Sequence, residues 1–428
     1  MLIDRPLTIT LWDFSWYTRT GPGEPFEDLE RACSEAVERG YDTVRMCAMP
    51  FLLFGSGLPT DALQLGPLGG GHGSRTRWYD VGGWTTIDAR AQLLDLLRAC
   101  RDAGLRIILS SWEYQQSPSF SADRAWLDAL LAVPPEERAE RLADCLADLL
   151  DLVEGEGLLE QVALTELHNE VQIGKLTEGL AVDRSDHDAV TRALLPRLQR
   201  GIDRFRARRP EDPVTVNYAG VPIGALSAVP DGVDALVVHP YVYGVLGELI
   251  ETFGLRGDPA NLREDQLRAL LRPDAPAPGE WWPTGERSWT GEATVMNPAE
   301  LYVHDWCDPT KVDAWLLDRW GMWRHETHTR LALWLDAAAD AARSRGIPLL
   351  LGEGWFGYTP RDCTFEEGPV GSELCEHAMR EAARVGAAGT VVCSNAAPHH
   401  PMWADIDLQQ RCTRLFHEEG ERRHARAV

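Results

Sequence analysis

Eight short runs rich in leucine, isoleucine, valine and threonine recur along this chain, at 7–12, 43–48, 105–111, 161–167, 213–217, 235–239, 347–352 and 388–393, and helical patterns fill the intervals. Strand and helix in strict alternation demand parallel strands with crossover helices. The helices carry the required period: Leu29, Ala32, Cys33, Ala36 and Val37 make one stripe before Gly40, and Leu142, Cys145, Leu146, Leu149, Leu150 and Val153 make another before Gly155. Gly104 closes the helix ahead of the third run. Eight strand-then-helix units predict a closed (β/α)8 TIM barrel, with functional groups at the carboxyl ends of the strands. An open doubly wound sheet is the alternative. The 428 residues are expected to form a single domain, 1–428.

Two segments break the rhythm. Residues 65–84, after the second strand, are too glycine-rich for regular structure and are expected to form a flexible rim loop on the active face. Their glycines lack the lysine and serine spacing of a phosphate-binding loop. Residues 244–310, after the sixth strand, form an insertion carrying Trp281, Trp282, Trp289 and Trp306 among prolines and glycines. Three readings stand for it: a lid or sugar-stacking wall, a packed excursion, or an oligomer contact. The tryptophans are compatible with a homodimer.

Charge narrows the partners. Acidic residues number 66 against 42 basic ones, a formal charge of −24 that repels nucleic acid and anionic membranes. No run approaches the ~20 apolar residues of a membrane span. With no signal-peptide pattern before the first strand, the expected location is cytoplasmic, unless a leader has been removed. Nine dispersed cysteines without a C-x-x-C pair favour buried, reduced thiols.

The candidate chemistry rests on two glutamates, each where a strand runs out into a loop: Glu170 after Val162–Asn169 and Glu353 after Pro348–Gly352. Paired carboxylates from separate strands are the equipment for glycosidic cleavage, one as acid and one as nucleophile or base. A retaining enzyme needs them roughly 5 to 5.5 Å apart. Asn169 can hydrogen-bond a sugar 2-hydroxyl, Arg45 can keep the nucleophile ionised, Tyr241 can donate to the same carboxylate, and His239 can orient the acid or the substrate. The alternatives are a structural ion pair for Arg45 and a core histidine for His239.

Glu166-Leu167-His168-Asn169-Glu170 resembles the strand-four signature of glycoside hydrolase clan A, especially the cellulase-like family 5. Thr43-Val44-Arg45-Met46, His239-Pro240-Tyr241, Gly352-Glu353-Gly354-Trp355 and the tryptophan region of the first strand look like the same family, over residues 7 to about 405. The resemblance implies Glu170 as acid/base, Glu353 as nucleophile, Arg45, Asn169, His239 and Tyr241 as their supporting shell, and Glu166 as a structural carboxylate.

The chain departs from that pattern in three places. Val171 replaces the proline that usually follows the acid, which should loosen the turn. The third strand ends Ser110-Ser111-Trp112-Glu113 where the family usually carries a histidine, and the eighth ends Val392-Cys393-Ser394-Asn395 where it usually places a tryptophan under the sugar. Trp112, Trp355 and Trp403 are the expected substitutes for that floor, since an indole face stacks on a pyranose. Asn395 completes the candidate substrate contacts.

No organic cofactor and no metal are expected. His325-Glu326-Thr327-His328 has its histidines three apart rather than the four of a zinc helix. The adjacent pair His399-His400, between Pro398 and Pro401, is expected to project in different directions and chelate poorly. Gly55-Ser56-Gly57 is no nucleophile elbow, and no G-x-G-x-x-G follows a strand. The expected function is therefore a retaining β-glycosidase acting on small oligosaccharides or glycoconjugates rather than polymeric cellulose. A catalytically silent carbohydrate-binding barrel and a transglycosylase are the alternatives.

Overall fold

The computed structural model describes residues 5–281 and 285–427, so Trp282 lies outside the described residues. Eight strand positions form one parallel sheet: β1 (Leu7–Asp13), β2 (Thr43–Cys47), β3 (Arg106–Ser110), β4 (Val162–Glu166), β5 (Val214–Thr215 and Asn217–Ala219), β6 (Leu236–His239), β7 (Leu349–Leu351) and β8 (Gly389–Val391). The two pieces of β5 stand at opposite ends of the strand order. The first pairs with β4 and the second with β6, so the chain itself closes the cylinder as it passes Val216. β1 pairs with both β2 and β8. The protein is a (β/α)8 barrel, and every strand predicted from the sequence is present.

The period of two along each strand stacks the interior in layers. Leu7, Ile9, Ile108, Leu164, Val237 and Leu350 meet in an apolar plug at the amino-terminal end. Two residues further on, the same strands turn polar: Leu164 gives way to Glu166, and Val237 to His239. The plug is apolar, and the layer above it carries the charge.

Outside the barrel, aspartates cap helix starts by accepting backbone N–H groups. Asp28 caps Leu29–Glu38, Asp88 caps Ala89–Asp102 and Asp186 caps His187–Arg208. Gly104 takes φ +73° after Ala89–Asp102, turning the chain into β3 as expected. The stripe of helix Arg138–Gly155 is buried throughout. In Leu29–Glu38, by contrast, Val37 is 47% exposed, because the stripe there is narrower than its apolar residues suggest. All nine cysteines are buried and unpaired. Among the described residues, no helix is long and apolar enough to cross a membrane.

The glycine-rich loop is anchored rather than loose. The Asp305 carboxylate accepts the N–H groups of Gly73 (2.6 Å) and Arg75 (2.9 Å), and buried Arg77 pairs with Glu366 and Glu367 and donates to the Thr359 carbonyl. Flanking it, Leu63–Leu65 and Thr85–Ile87 form an antiparallel pair. Glycine here serves tight turning against partners, and the charged residues between the glycines supply the anchors.

Deleting the plug should be costly and deleting the surface valine should not. Leu164→Ala is expected to lose about 2–5 kcal/mol in urea unfolding, and Val37→Ala less than about 0.5 kcal/mol.

Candidate active site

The carboxyl ends of the strands open into a cavity of about 840 Å³. That is within the usual range for small-molecule sites. Glu170, Glu353, Asn169, Tyr241, Trp112 and Asn395 line it. Arg45 and His239 are fully buried beneath them.

Arg45 organises the floor. Its Nε lies 3.1 and 3.0 Å from the two Glu166 oxygens, Nη2 donates to Glu166 Oε2 and Asn169 Oδ1 (2.7 Å each), and Nη1 donates to Glu353 Oε1 (2.8 Å). The guanidinium carbon sits 4.7 Å from the centre of a Trp112 ring. Glu353 takes its second hydrogen bond from the Tyr241 hydroxyl, 2.9 Å from Oε2. Asn169 donates to Gln115 Oε1 (3.0 Å).

Glu170 has a different environment. Its Oε1 is 3.1 Å from His239 Nδ1, and His239 Nδ1 is also 3.6 Å from Glu353 Oε1. One donor atom from each of Glu170, His239 and Glu353 lies within 4.8 Å of the others. Burial raises the Glu170 carboxyl to about 7, against a smaller lowering by Arg45. Burial also lowers His239 to about 4, so the ring is neutral at neutral pH. Gly352 makes room for it, since a Cβ there would stand 2.8 Å from His239 Nε2.

The turn at Glu170 is tied, not loosened. Glu170 takes φ +41°, which an L residue holds only where its surroundings enforce it. Its N–H donates to Asn217 Oδ1 (2.5 Å), and Val171 donates to the Asn217 carbonyl (3.1 Å). Proline at 171 would have no N–H for that second bond. Asn217 also donates to Glu166 Oε2 (2.8 Å), joining the floor to the turn. Nothing in the motif had pointed to Asn217; its inward position on the fifth strand was the available signal.

Two expected stacking residues lie elsewhere. Trp355 is fully buried and donates to the Val392 carbonyl. Trp403 stacks on Tyr41 (5.9 Å, 3° between planes) under Arg39, and its Nε1 donates to Glu35. Both indoles serve packing. Cavity aromatics come instead from Trp78, in the glycine-rich loop, and from Tyr243 and Tyr358. Trp78 meets Tyr358 edge-on at 4.4 Å.

The insertion forms a wall through Arg256, Met296 and Glu300, and its described tryptophans, Trp281, Trp289 and Trp306, do not line the cavity. Trp289 packs with Leu127 and Ala293, Trp281 meets Tyr302, and Trp306 lies under Arg272. Arg256 donates to Glu300 (2.8 Å) and to the hydroxyls of Tyr243 and Tyr358.

His399 and His400 also depart from expectation: their rings converge, with centroids 3.8 Å apart. His328 of the discounted helix motif stacks on His377.

A family described as cellulase-like, sugar-binding, matches over residues 9–222, half of the chain. The chain belongs to this cellulase-like family. The matched half spans β1 to β5 and includes Arg45, Glu166, Asn169, Glu170 and Asn217. No curated protein matches the sequence. Among solved structures, a candidate glycoside hydrolase from Parabacteroides distasonis shares 21% identity over 96% of this chain and 93% of its own, with a TM-score of 0.68. ZgEngAGH5_4, solved in complex with a cellotriose, shares 12% identity over 97% and 96%, with a TM-score of 0.50. These likenesses establish that the cellulase-like chain has a glycoside hydrolase fold.

Glu166→Ala should leave the buried Arg45 short of its main counter-charge and destabilise the fold by about 3–5 kcal/mol. Denaturant unfolding at pH 7 checks this.

Proposed function

We propose that this protein is a retaining glycoside hydrolase acting on a β-linked glycoside or small oligosaccharide. The observation that carries the reading is the approach of Glu170 and Glu353 to within 4.8 Å, oxygen to oxygen, across the cavity. That is near the roughly 5–5.5 Å of double-displacement enzymes and short of the ~6.5–9.5 Å that inverting enzymes need for a water.

In this mechanism Glu170 protonates the glycosidic oxygen while Glu353, steadied by Arg45 and Tyr241, attacks the anomeric carbon to form a glycosyl ester. Glu170, now a carboxylate, takes a proton from water, which cleaves the ester and returns both groups to their starting state. The environments suit the roles. Desolvation keeps Glu170 protonated near neutrality, and two charge-assisted or hydroxyl donors meet Glu353. Asn169, clamped between Arg45 and Gln115 on the cavity lining, is the residue we assign to the sugar 2-hydroxyl.

A panel of aryl β-glycosides tests the reading. On the aryl glycoside the wild type turns over, Glu353→Gln is expected to lower kcat/KM at least ~10³-fold, and Glu170→Gln to lower kcat at least ~10³-fold, because the second step still needs Glu170 to activate water. If no glycoside is cleaved while sugars still raise the melting temperature, the protein binds without turnover and the proposal fails. Formation of longer products on adding an acceptor sugar would mark transglycosylation.

The pH profile gives an independent check. Because Glu170 acts first as an acid and is raised to about 7, kcat/KM should fall as pH rises through about 7. With an activated leaving group that needs no proton, Glu170→Gln should lose this alkaline limb. The same shift links to stability. A carboxyl raised from 4.5 favours the fold below pH 4.5 and loses that contribution as pH rises through about 7. Glu170→Gln should therefore melt above the wild type at pH 8, with the gap closing towards pH 4.5.

A further inference from the structure

Asp13, His399 and His400 form a second constellation, of which Asp13 and His400 stand on the wall of the same cavity. One donor atom from each lies within 4.8 Å of the other two, and each residue is more than nine-tenths buried. Asp13 stands at the end of β1 with φ +40°, and its Oδ1 accepts the Ser15 N–H (2.7 Å). Backbone bonds from His400 N to the Ala397 carbonyl and from Trp403 N to the His400 carbonyl fix the histidine loop.

The imidazoles lack partners. Both ring nitrogens of His399, and Nδ1 of His400, are buried without a hydrogen bond. An unmade bond at a buried polar atom costs about 1–3 kcal/mol, so two buried imidazoles with unmet nitrogens, each offering one atom within 4.8 Å of the Asp13 carboxylate, describe an incomplete site. Asp13 and His400 also line the cavity, which gives a ligand its entry path. Of the nearby cations, Arg77 pairs with Glu366 and Glu367 and Arg361 with Asp80, while Arg19 is shared between Glu24, at 4.0 Å, and the field of Asp13.

We propose that Asp13, His399 and His400 bind one first-row divalent transition-metal ion. Two imidazoles and a carboxylate suit zinc, cobalt or manganese and leave open coordination positions towards the cavity, whereas magnesium and calcium prefer all-oxygen sites. Ligation at about 2.0–2.2 Å draws the donors closer together. Rotation of the imidazole side chains supplies that movement.

The test uses the full chain, dialysed against a chelator and titrated with CoCl2 and ZnCl2 by calorimetry, with visible absorption for cobalt and MgCl2 as the contrast. The expected result is about one equivalent of cobalt or zinc, cobalt d–d bands, and no magnesium uptake. His399→Ala and His400→Ala should each weaken cobalt binding at least ~100-fold. Glu353→Gln, in the neighbouring Glu170, His239 and Glu353 group, should leave it unchanged. Absence of stoichiometric binding to the wild type overturns the proposal, as does binding that persists in both histidine variants or is abolished by Glu353→Gln. Asp13→Asn, which keeps an acceptor for Ser15, is read alongside with melting curves in chelator. A histidine variant that fails to fold then leaves the decision to Asp13→Asn, for which the same loss is expected and full retention of binding overturns the site.

Discussion

The fork of Arg45 is the interaction on which the site depends. One rigid, planar cation reaches Glu166, Asn169 and Glu353 at once, so residues from the second, fourth and seventh strands are held in one plane above the apolar plug. Lysine would place a single point charge there and fix no angles. Two carboxylates around one guanidinium leave an excess of negative charge in a buried layer. The Tyr241 hydroxyl and the Asn217 amide meet that excess with donors at 2.9 and 2.8 Å. The floor is therefore stable only as a set, which is the behaviour of a buried polar network.

Above that floor, two glutamates of the same chemical type are made unlike. Glu353 is gripped by a cation and a hydroxyl. Glu170 faces a neutral imidazole and a backbone turn whose hydrogen bonds are made by Asn217, so desolvation governs its proton. The difference arises from neighbours that are distant in sequence and adjacent only because the barrel closes.

The barrel was legible in the sequence because its strands recur as short apolar runs and helices such as Leu29–Glu38 and Ala89–Asp102 carry an apolar stripe that ends just before a glycine. The central cluster was legible because Asn169 and Glu170 are consecutive and the remaining members sit at strand ends. Trp355 and Trp403 were not, because an indole reads the same whether it faces a sugar or packs under an arginine. Trp78 was hidden among glycines, and Arg256, Met296 and Glu300 in a segment without periodicity. His399 and His400 were misjudged because backbone spacing alone does not set how two adjacent rings turn. For the two tryptophans the missing information was a contact across many residues of sequence, Trp403 with Tyr41 and Trp355 with Val392.

The anchoring of the glycine-rich loop has a consequence for how this barrel can diversify. Asp305, in the insertion, holds Gly73 and Arg75, while Arg287, also in the insertion, donates to the carbonyls of Leu68, Ser121 and Ala122. The rims after the second, third and sixth strands are thus bolted into one collar. Grafting any of them alone onto another barrel would strand a carboxylate without its amides or a guanidinium without its carbonyls. Inherited changes in the shape of this cavity mouth must therefore travel as compensated sets spread over distant stretches of the gene, rather than as single-loop exchanges.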